Sequence, residues 1–134
     1  MSSSKDETLN IRSSGDVVQV RQSVRSRAAE SGFSLIDQTK LVTAASELAR
    51  NTLEHGGGGT VRIEVIIAGL RTGIRLTFED QGPGIPDMKL ALTDGYTTGG
   101  GMGLGLSGSR RLVNEFEIVS NVGVGTKVVI VKWK

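Results

Sequence analysis

Glu79-Asp80-Gln81-Gly82-Pro83-Gly84-Ile85-Pro86 is the stretch that decides how this chain is built. An alternating apolar run of Ile74, Leu76 and Phe78 ends there in a carboxylate and then breaks into glycine and proline. Side chains two apart share one face of a strand, so Asp80 falls on the same inward face as the apolar residues before it. A carboxylate aimed inward needs a partner. Gly82 and Gly84 let the backbone approach a bound molecule closely, while Pro83 and Pro86 stiffen the turn and prevent a helix from following. A planar donor such as an adenine amine would satisfy this aspartate. A capping or turn aspartate is the alternative, and the segment alone does not separate the two.

On the N-terminal side, Thr60 to Ile67 alternates Val61, Ile63, Val65 and Ile67 against Arg62, Glu64 and Ile66. Ala68 to Thr72 turns the chain into the strand that ends at Asp80, giving an expected antiparallel hairpin with one buried face. Before it, Ser34 caps a helix, with Asp37 completing a box-like start, and the helix runs to about Glu54. Its apolar stripe is Leu41, Val42, Ala45, Leu48, Ala49 and Leu53. At about 100° per residue, Glu47 and Asn51 project together from the other side with Lys40, Thr43 and Ala44. Such a pair is either a solvated face or a carboxylate and an amide offered to a ligand. His55 and the run Gly56 to Gly59 close the helix as a flexible turn. This only histidine caps or packs against the helix end, or lies near a phosphate.

Further back, Ser13-Ser14-Gly15-Asp16 offers caps for a helix whose Val17, Val20, Val24 and Ala28 recur at helical spacing up to Gly32. Arg21, Arg25 and Arg27 decorate its exposed sides, as a solvated face or as a docking surface for an acidic partner. Thr8 to Arg12 reads as a short edge strand through Leu9 and Ile11, and residues 1–6 as a polar, disordered tail.

On the C-terminal side, Asp87 to Gly95 is expected to form a short helical turn. Tyr96 to Leu106 is so rich in glycine that no stable secondary structure is expected until something orders it. A helix is expected from about Leu104 to Phe116. Glycine-rich backbone feeding a helix start suits an anion, with a flexible linker as the alternative. Phe116 to Ser120 and Thr126 to Trp133 read as strands joined across Asn121-Val122-Gly123-Val124-Gly125.

The 134 residues suit a single domain spanning 1–134, long enough to bury a real core. Hydrophobic content of 37% and charge of 22% fit a soluble globular chain. The absence of cysteine excludes disulfides, thiol catalysis and zinc–thiolate sites. No apolar run approaches the ~20 residues that span a bilayer, and Met1 to Asn10 lacks a signal-peptide core, so a cytoplasmic location is expected. A net charge of +2, one Trp, one Tyr and no basic tract argue against nucleic acid as a partner.

An inward carboxylate at a glycine turn, a glycine lid feeding a helix and a helix displaying Glu47 with Asn51 together suit ATP and Mg²⁺. Asp80 would read the adenine, the lid amides would hold phosphates, Asn51 would offer an oxygen to Mg²⁺ and Glu47 would accept a proton from a nucleophile. G-x-x-x-x-G-K-[ST] is absent, as is a lysine with H-R-D, which removes the P-loop and eukaryotic-kinase solutions.

These residues also carry a family resemblance. Glu47-Leu-Ala-Arg-Asn51 resembles the N box of the GHKL ATPase/kinase superfamily, Asp80-Gln-Gly82-Pro-Gly84 its G1 box, Gly101-Met-Gly103-Leu-Gly105-Leu its G2 lid and Gly123-Val-Gly125-Thr126 its G3 box. All stand in the family's order, over residues 8–134. The chain lacks room for the dimerisation helix of sensor kinases and for the transducer domains of gyrase-like members, so it looks like the stand-alone anti-sigma-type serine/threonine protein kinases. The run Glu79 to Asp87, Asp94-Gly95-Tyr96-Thr97-Thr98, Arg111 to Phe116 and the ending Lys132-Trp133 are most similar to the RsbT-type switch kinases of the stressosome.

The resemblance implies a Bergerat α/β (α+β) two-layer sandwich, helices on one face of a mixed, mostly antiparallel sheet. It implies Glu47 as general base, Asn51 as Mg²⁺ ligand, Asp80 on the adenine amine, Gly82 and Gly84 shaping the purine pocket, Gly101, Gly103 and Gly105 as phosphate lid, and Thr126 helping to hold the adenine. Arg50 and Arg110 are phosphate contacts or solvated surface. Implied partners are STAS-domain proteins of the RsbS and RsbR type, as phospho-acceptors, and a PP2C-type phosphatase of the RsbU type, activated on release. His55 stands where RsbW-like anti-sigma kinases often carry histidine, which keeps open sequestration of a sigma factor. A non-catalytic, nucleotide-gated interaction module is a third alternative.

Overall fold

The computed structural model describes residues 6–84, 97–98, 102–103 and 106–134. Along the chain run β1 (Glu7–Ile11), α1 (Ser14–Glu30), α2 (Leu35–Glu54), β2 (Gly59–Ala68), β3 (Arg71–Asp80), β4 (Thr97–Thr98), β5 (Met102–Gly103), α3 (Leu106–Arg111), β6 (Glu115–Asn121) and β7 (Gly125–Trp133). A five-stranded sheet has the order β1-β2-β3-β7-β6, and every described pairing in it is antiparallel. The expected α+β sandwich is therefore present, without a parallel pair among the described residues.

Both long helices begin and end where local chemistry dictates. Ser13 Oγ accepts the Asp16 N–H at 3.2 Å and Ser34 Oγ the Asp37 N–H at 3.1 Å, each satisfying an amide that the helix leaves without a partner. At the end of α1 the Phe33 N–H reaches back to the Ala28 carbonyl and the Gly32 N–H to that of Ala29, a closure with Gly32 just past the last turn.

Period two places the inner face of the sheet. Cross-strand partners Val61 and Phe78, Ile63 and Leu76, Phe78 and Val128, Leu76 and Ile130 share it, as directly opposed residues must. They join Val20, Val24 and Ala28 of α1 and Leu41, Ala45, Leu48 and Ala49 of α2 in one buried cluster. Each large apolar side chain sealed there stabilises the fold by about 1.5–3 kcal/mol.

The outer face of the sheet holds charge. Glu64 is buried despite facing outward, because Arg75 clamps it with Nε at 2.9 Å from Oε1 and Nη2 at 3.1 Å from Oε2, while Arg62 Nη2 approaches Oε2 at 3.3 Å. The Arg75 hydrogen bonds, then the positive charges of Arg75 and Arg62, hold its carboxyl below the ordinary 4.5, outweighing a desolvation that acts the other way. Arg62 also meets Asp6 at 3.1 Å, so Asp6, expected in the polar tail, lies on the sheet. Trp133 donates Nε1–H to Glu115 Oε2 at 2.9 Å beneath the Arg71 guanidinium, which is 4.3 Å from the ring.

Several expectations need correction. Ala44, assigned to the ligand-facing side of α2, is fully buried; two helices and a sheet close over a wider arc of α2 than one stripe. Ile67, assigned inward, is exposed near the end of its hairpin. The helix expected from Leu104 to Phe116 is the shorter α3, and Phe116, also read as the first residue of a strand, takes that second place, on β6 opposite Ile130. Asn114 starts that strand: its N–H bonds the Val131 carbonyl at 2.9 Å and its Oδ1 accepts the Trp133 N–H at 2.7 Å. The glycine-rich loop does contain secondary structure, for Thr97–Thr98 pairs with Met102–Gly103; backbone pairing needs no side chain at Gly103. The turn expected over Asp87 to Gly95 lies outside the described residues.

Candidate functional site

Asp80 is the last residue of β3, opposed by Gly59 on one side and Thr126 on the other. Its Oδ1 accepts the Gly82 N–H at 2.9 Å, so the aspartate does brace the turn. A carboxylate has about four lone-pair sites, and the turn uses one, so bracing and ligand reading are compatible. Strand pairing fixes its backbone and the turn fixes its side chain.

The end of α2 closes on this corner. The Asn51 carbonyl accepts both the His55 N–H at 2.9 Å and the Gly56 N–H at 3.1 Å, which turns the chain sharply. Gly56 then lies flat against the aspartate: a Cβ on it would sit 2.6 Å from Asp80 Oδ2, and a Cβ on Gly82 would sit 2.7 Å from Gly56 Cα. Both separations are impossible for real atoms, so hydrogen is the only side chain that fits. On the far side, Gly84 has φ +79 and a Cβ there would lie 2.5 Å from the Asn121 carbonyl oxygen, while Pro83 accepts the Gly123 N–H at 2.8 Å. The turn after β3 and the β6–β7 turn are thereby fastened together. Thr126 Oγ1 shares a 2.8 Å hydrogen bond with Ser120 Oγ.

These contacts frame a small, partly open cleft. Leu48, Phe78, Leu106, Ile118 and Val128 form its apolar wall, and Asn51, His55, Asp80 and Thr126 supply polar groups. An apolar wall with a few convergent polar groups is the composition of a small-molecule site. Among the expected residues, Asn51, Asp80, Gly84 and Thr126 are brought together here, and Gly82 abuts it through Gly56. Glu47 lies one turn before Asn51, outside the cleft lining, half-exposed, with Oε1 2.8 Å from Arg50 Nη1. Arg110 is exposed on α3. Gly101 and Gly105 lie outside the described residues, and Gly103 is described only as backbone of β5.

Gly56 was not singled out in the sequence, where it is one of a glycine run read as flexibility. The available signal was its position directly after the histidine that ends α2, where a chain reversing onto the sheet must pass close to the strand ends. Among the described residues no cluster of three His, Asp or Glu could cage a metal. The Asn51 amide is the protein oxygen that a Mg²⁺ arriving with a bound ligand could take. Among the described residues, too, no helix is long and apolar enough to cross a membrane.

Comparison with known proteins agrees with this geometry. Residues 36–134 match the model for histidine kinase-, DNA gyrase B-, and HSP90-like ATPases. The serine/threonine-protein kinase RsbT of Bacillus subtilis (strain 168) is 42% identical over 125 residues, which cover 93% of this chain and 94% of that protein. An anti-sigma F factor of Clostridium novyi (strain NT) is 32% identical over 101 residues, 70% of this chain and 69% of that protein. Among solved structures, the RsbU and RsbW domains of Rv1364c from Mycobacterium tuberculosis superpose with a TM-score of 0.66 at 23% identity, over 96% of this chain and 32% of that one. The catalytic domain of the histidine kinase ThkA gives 0.54 at 15% identity, over 94% and 95%; at these identities the likeness is one of fold. The chain thus belongs to the histidine kinase-, DNA gyrase B-, and HSP90-like ATPase family, and within it to the ATP-binding serine/threonine protein kinases.

Proposed function

We propose that this kinase transfers the γ-phosphoryl group of Mg·ATP to a serine or threonine of a STAS-domain partner protein, and that the transfer acts as a switch in bacterial stress or sigma-factor signalling. The observation that carries the proposal is the cleft in which Asn51, Asp80 and Thr126 converge behind an apolar wall. In it the Asp80 carboxylate accepts from the exocyclic adenine amine, with Thr126 at the same edge and Gly82 and Gly84 keeping the backbone close. Gly101, Gly103 and Gly105 supply lid amides to the phosphates. Asn51 Oδ1 would hold Mg²⁺, which would supply charge neutralisation on the transferring group.

Glu47 stands one helical turn from Asn51 and accepts the proton of the acceptor hydroxyl. The hydroxyl oxygen forms the new bond to phosphorus, the bond to the β–γ bridging oxygen breaks, and ADP leaves with that electron pair. The 2.8 Å contact with Arg50 ties the carboxylate to the next turn of α2, where Asn51 stands.

The extended likeness to RsbT supports a STAS-domain acceptor and release to activate a PP2C-type phosphatase. The likeness to an anti-sigma F factor supports a second reading, in which the chain also sequesters a sigma factor. Incubation with Mg·ATP and a candidate STAS-domain protein, followed by intact mass, tests both. A phosphate gained with wild type and absent with Glu47→Ala is expected. Nucleotide-dependent capture of a sigma subunit without any transfer would replace the first reading by the second.

A further inference from the structure

Resting on the reading of Glu47 as the base for a protein acceptor, we propose that the solvent strip of α2 is the surface on which that acceptor docks, with Leu35 and Ile36 as its apolar anchor and Lys40 meeting an acidic residue of the acceptor. Between Leu35 and Glu47 the exposed positions of α2 are Leu35, Ile36, Thr39, Lys40 and Thr43, the rest being closed off wholly or in part. Ile36, Lys40, Thr43 and Glu47 recur at helical spacing, so they project from one side of the helix. The axial rise puts Ile36 roughly 17 Å from Glu47, a span that a domain of about 100 residues, with a radius of gyration near 13 Å, covers.

Nothing within the fold uses the apolar residues at the start of this strip. Leu35 is 72% and Ile36 69% exposed, directly after the Ser34 cap, where polar and acidic side chains suit the helix dipole better. Asp37 in the same turn reaches Lys132 Nζ at 3.5 Å and pins this end of α2 to the end of β7. The Lys134 N–H in turn bonds the Thr72 carbonyl at the β2–β3 turn, so the exposed Ile67 and Leu70 lie at the same end of the molecule. A single apolar side chain in water is ordinary, whereas several gathered at one end mark a contact surface. Lys40, the next exposed residue on the Ile36 side, enters no ion pair among the described residues. An unpaired cation between the apolar anchor and the base favours an acceptor that carries a carboxylate there and disfavours one that carries a cation.

The test uses the full chain as wild type, as the double variant Leu35→Gln with Ile36→Gln, and as Lys40→Glu. A STAS-domain acceptor is titrated in the Mg·ATP phosphotransfer assay, with ADP affinity by calorimetry, melting temperature without ligand and mass by sedimentation. The double variant should raise KM for the acceptor by about tenfold or more at unchanged kcat. Its ADP affinity should stay within twofold of wild type and its melting temperature level, because glutamine keeps the helix preference and neither residue is buried. Lys40→Glu should raise KM by about three- to tenfold at low salt, and the gap should narrow as salt rises. A KM within twofold of wild type in either variant would overturn the inference. A fall in kcat at unchanged KM would overturn it too, as would a KM rise accompanied by a lowered melting temperature or ADP affinity, the mark of a structural role. A wild-type dimer that the double variant splits, with KM unchanged, would overturn it in favour of self-association. A wild type that transfers no phosphate to the acceptor would bring down the proposed function itself, and this inference with it.

Discussion

The two carboxylates proposed for the site are held in opposite ways. Asp80 sits where two cross-strand neighbours fix its backbone, the Gly82 N–H fixes its oxygen and the flat backbone of Gly56 blocks any swing toward α2. Glu47 sits on the open side of a helix, and the described contact on its carboxylate is a guanidinium one turn along, with both side chains about two-fifths exposed. In the proposed reading, the group that recognises the nucleotide is fixed by the fold, whereas the group proposed for the chemistry is held by one exposed ion pair.

Glu47→Ala should break the mobile half alone and give the largest effect. Phosphotransfer should fall by about 10²- to 10⁴-fold, with ADP affinity within twofold of wild type because Glu47 is not part of the cleft lining. Rates by intact mass and affinity by calorimetry check both halves of that statement. Gly56→Ala attacks the rigid half. A methyl group there must push the Asp80 side chain away, so ADP affinity should fall by more than about tenfold, roughly the worth of one charge-assisted hydrogen bond. Unchanged affinity would show that the aspartate corner tolerates displacement and is not preorganised.

The smallest effect belongs to a third carboxylate that serves neither half. Glu64→Gln on the outer face should lower stability by about 1 kcal/mol, a modest figure because the partner Arg75 is half-exposed, and should leave nucleotide affinity unchanged. Glu64 titrates below its ordinary 4.5 in the folded chain. Its contribution is therefore fully present above that value and is lost as pH falls through the lowered one. Denaturant melts at neutral and acid pH should show the gap between wild type and Glu64→Gln closing on acidification.

Much of this architecture was legible because its signals are local. Ser34 with Asp37, and Gly32 after the Val17 to Ala28 series, mark helix ends by chemistry that needs no tertiary partner. The hairpin of β2 and β3 follows from strict alternation, and the inward placing of Asp80 follows from the same period. Phe116 was read both as the end of a helix and as the start of a strand, because it satisfies a helical spacing from Leu112 and a strand spacing to Ile118 equally well. The Asn114 bonds to β7 decide between them, and those partners lie far along the chain. Ala44 was misassigned because a small side chain carries little periodic signal. Gly56 is the sharpest case: Gly56 and Gly57 are identical in sequence, yet a Cβ on Gly57 would meet nothing within 4 Å and one on Gly56 would strike Asp80. That distinction exists only once α2 and β3 have packed.

The claim that Asp80 reads adenine is tested most directly by titrating Mg·ATP and Mg·GTP into the wild-type chain. Guanine presents a carbonyl oxygen where adenine presents an amine, so it would set an acceptor against the fixed carboxylate. The account predicts measurable ATP binding and GTP binding weaker by more than about 30-fold, about 2 kcal/mol of lost pairing. Equal affinity for the two nucleotides would contradict it.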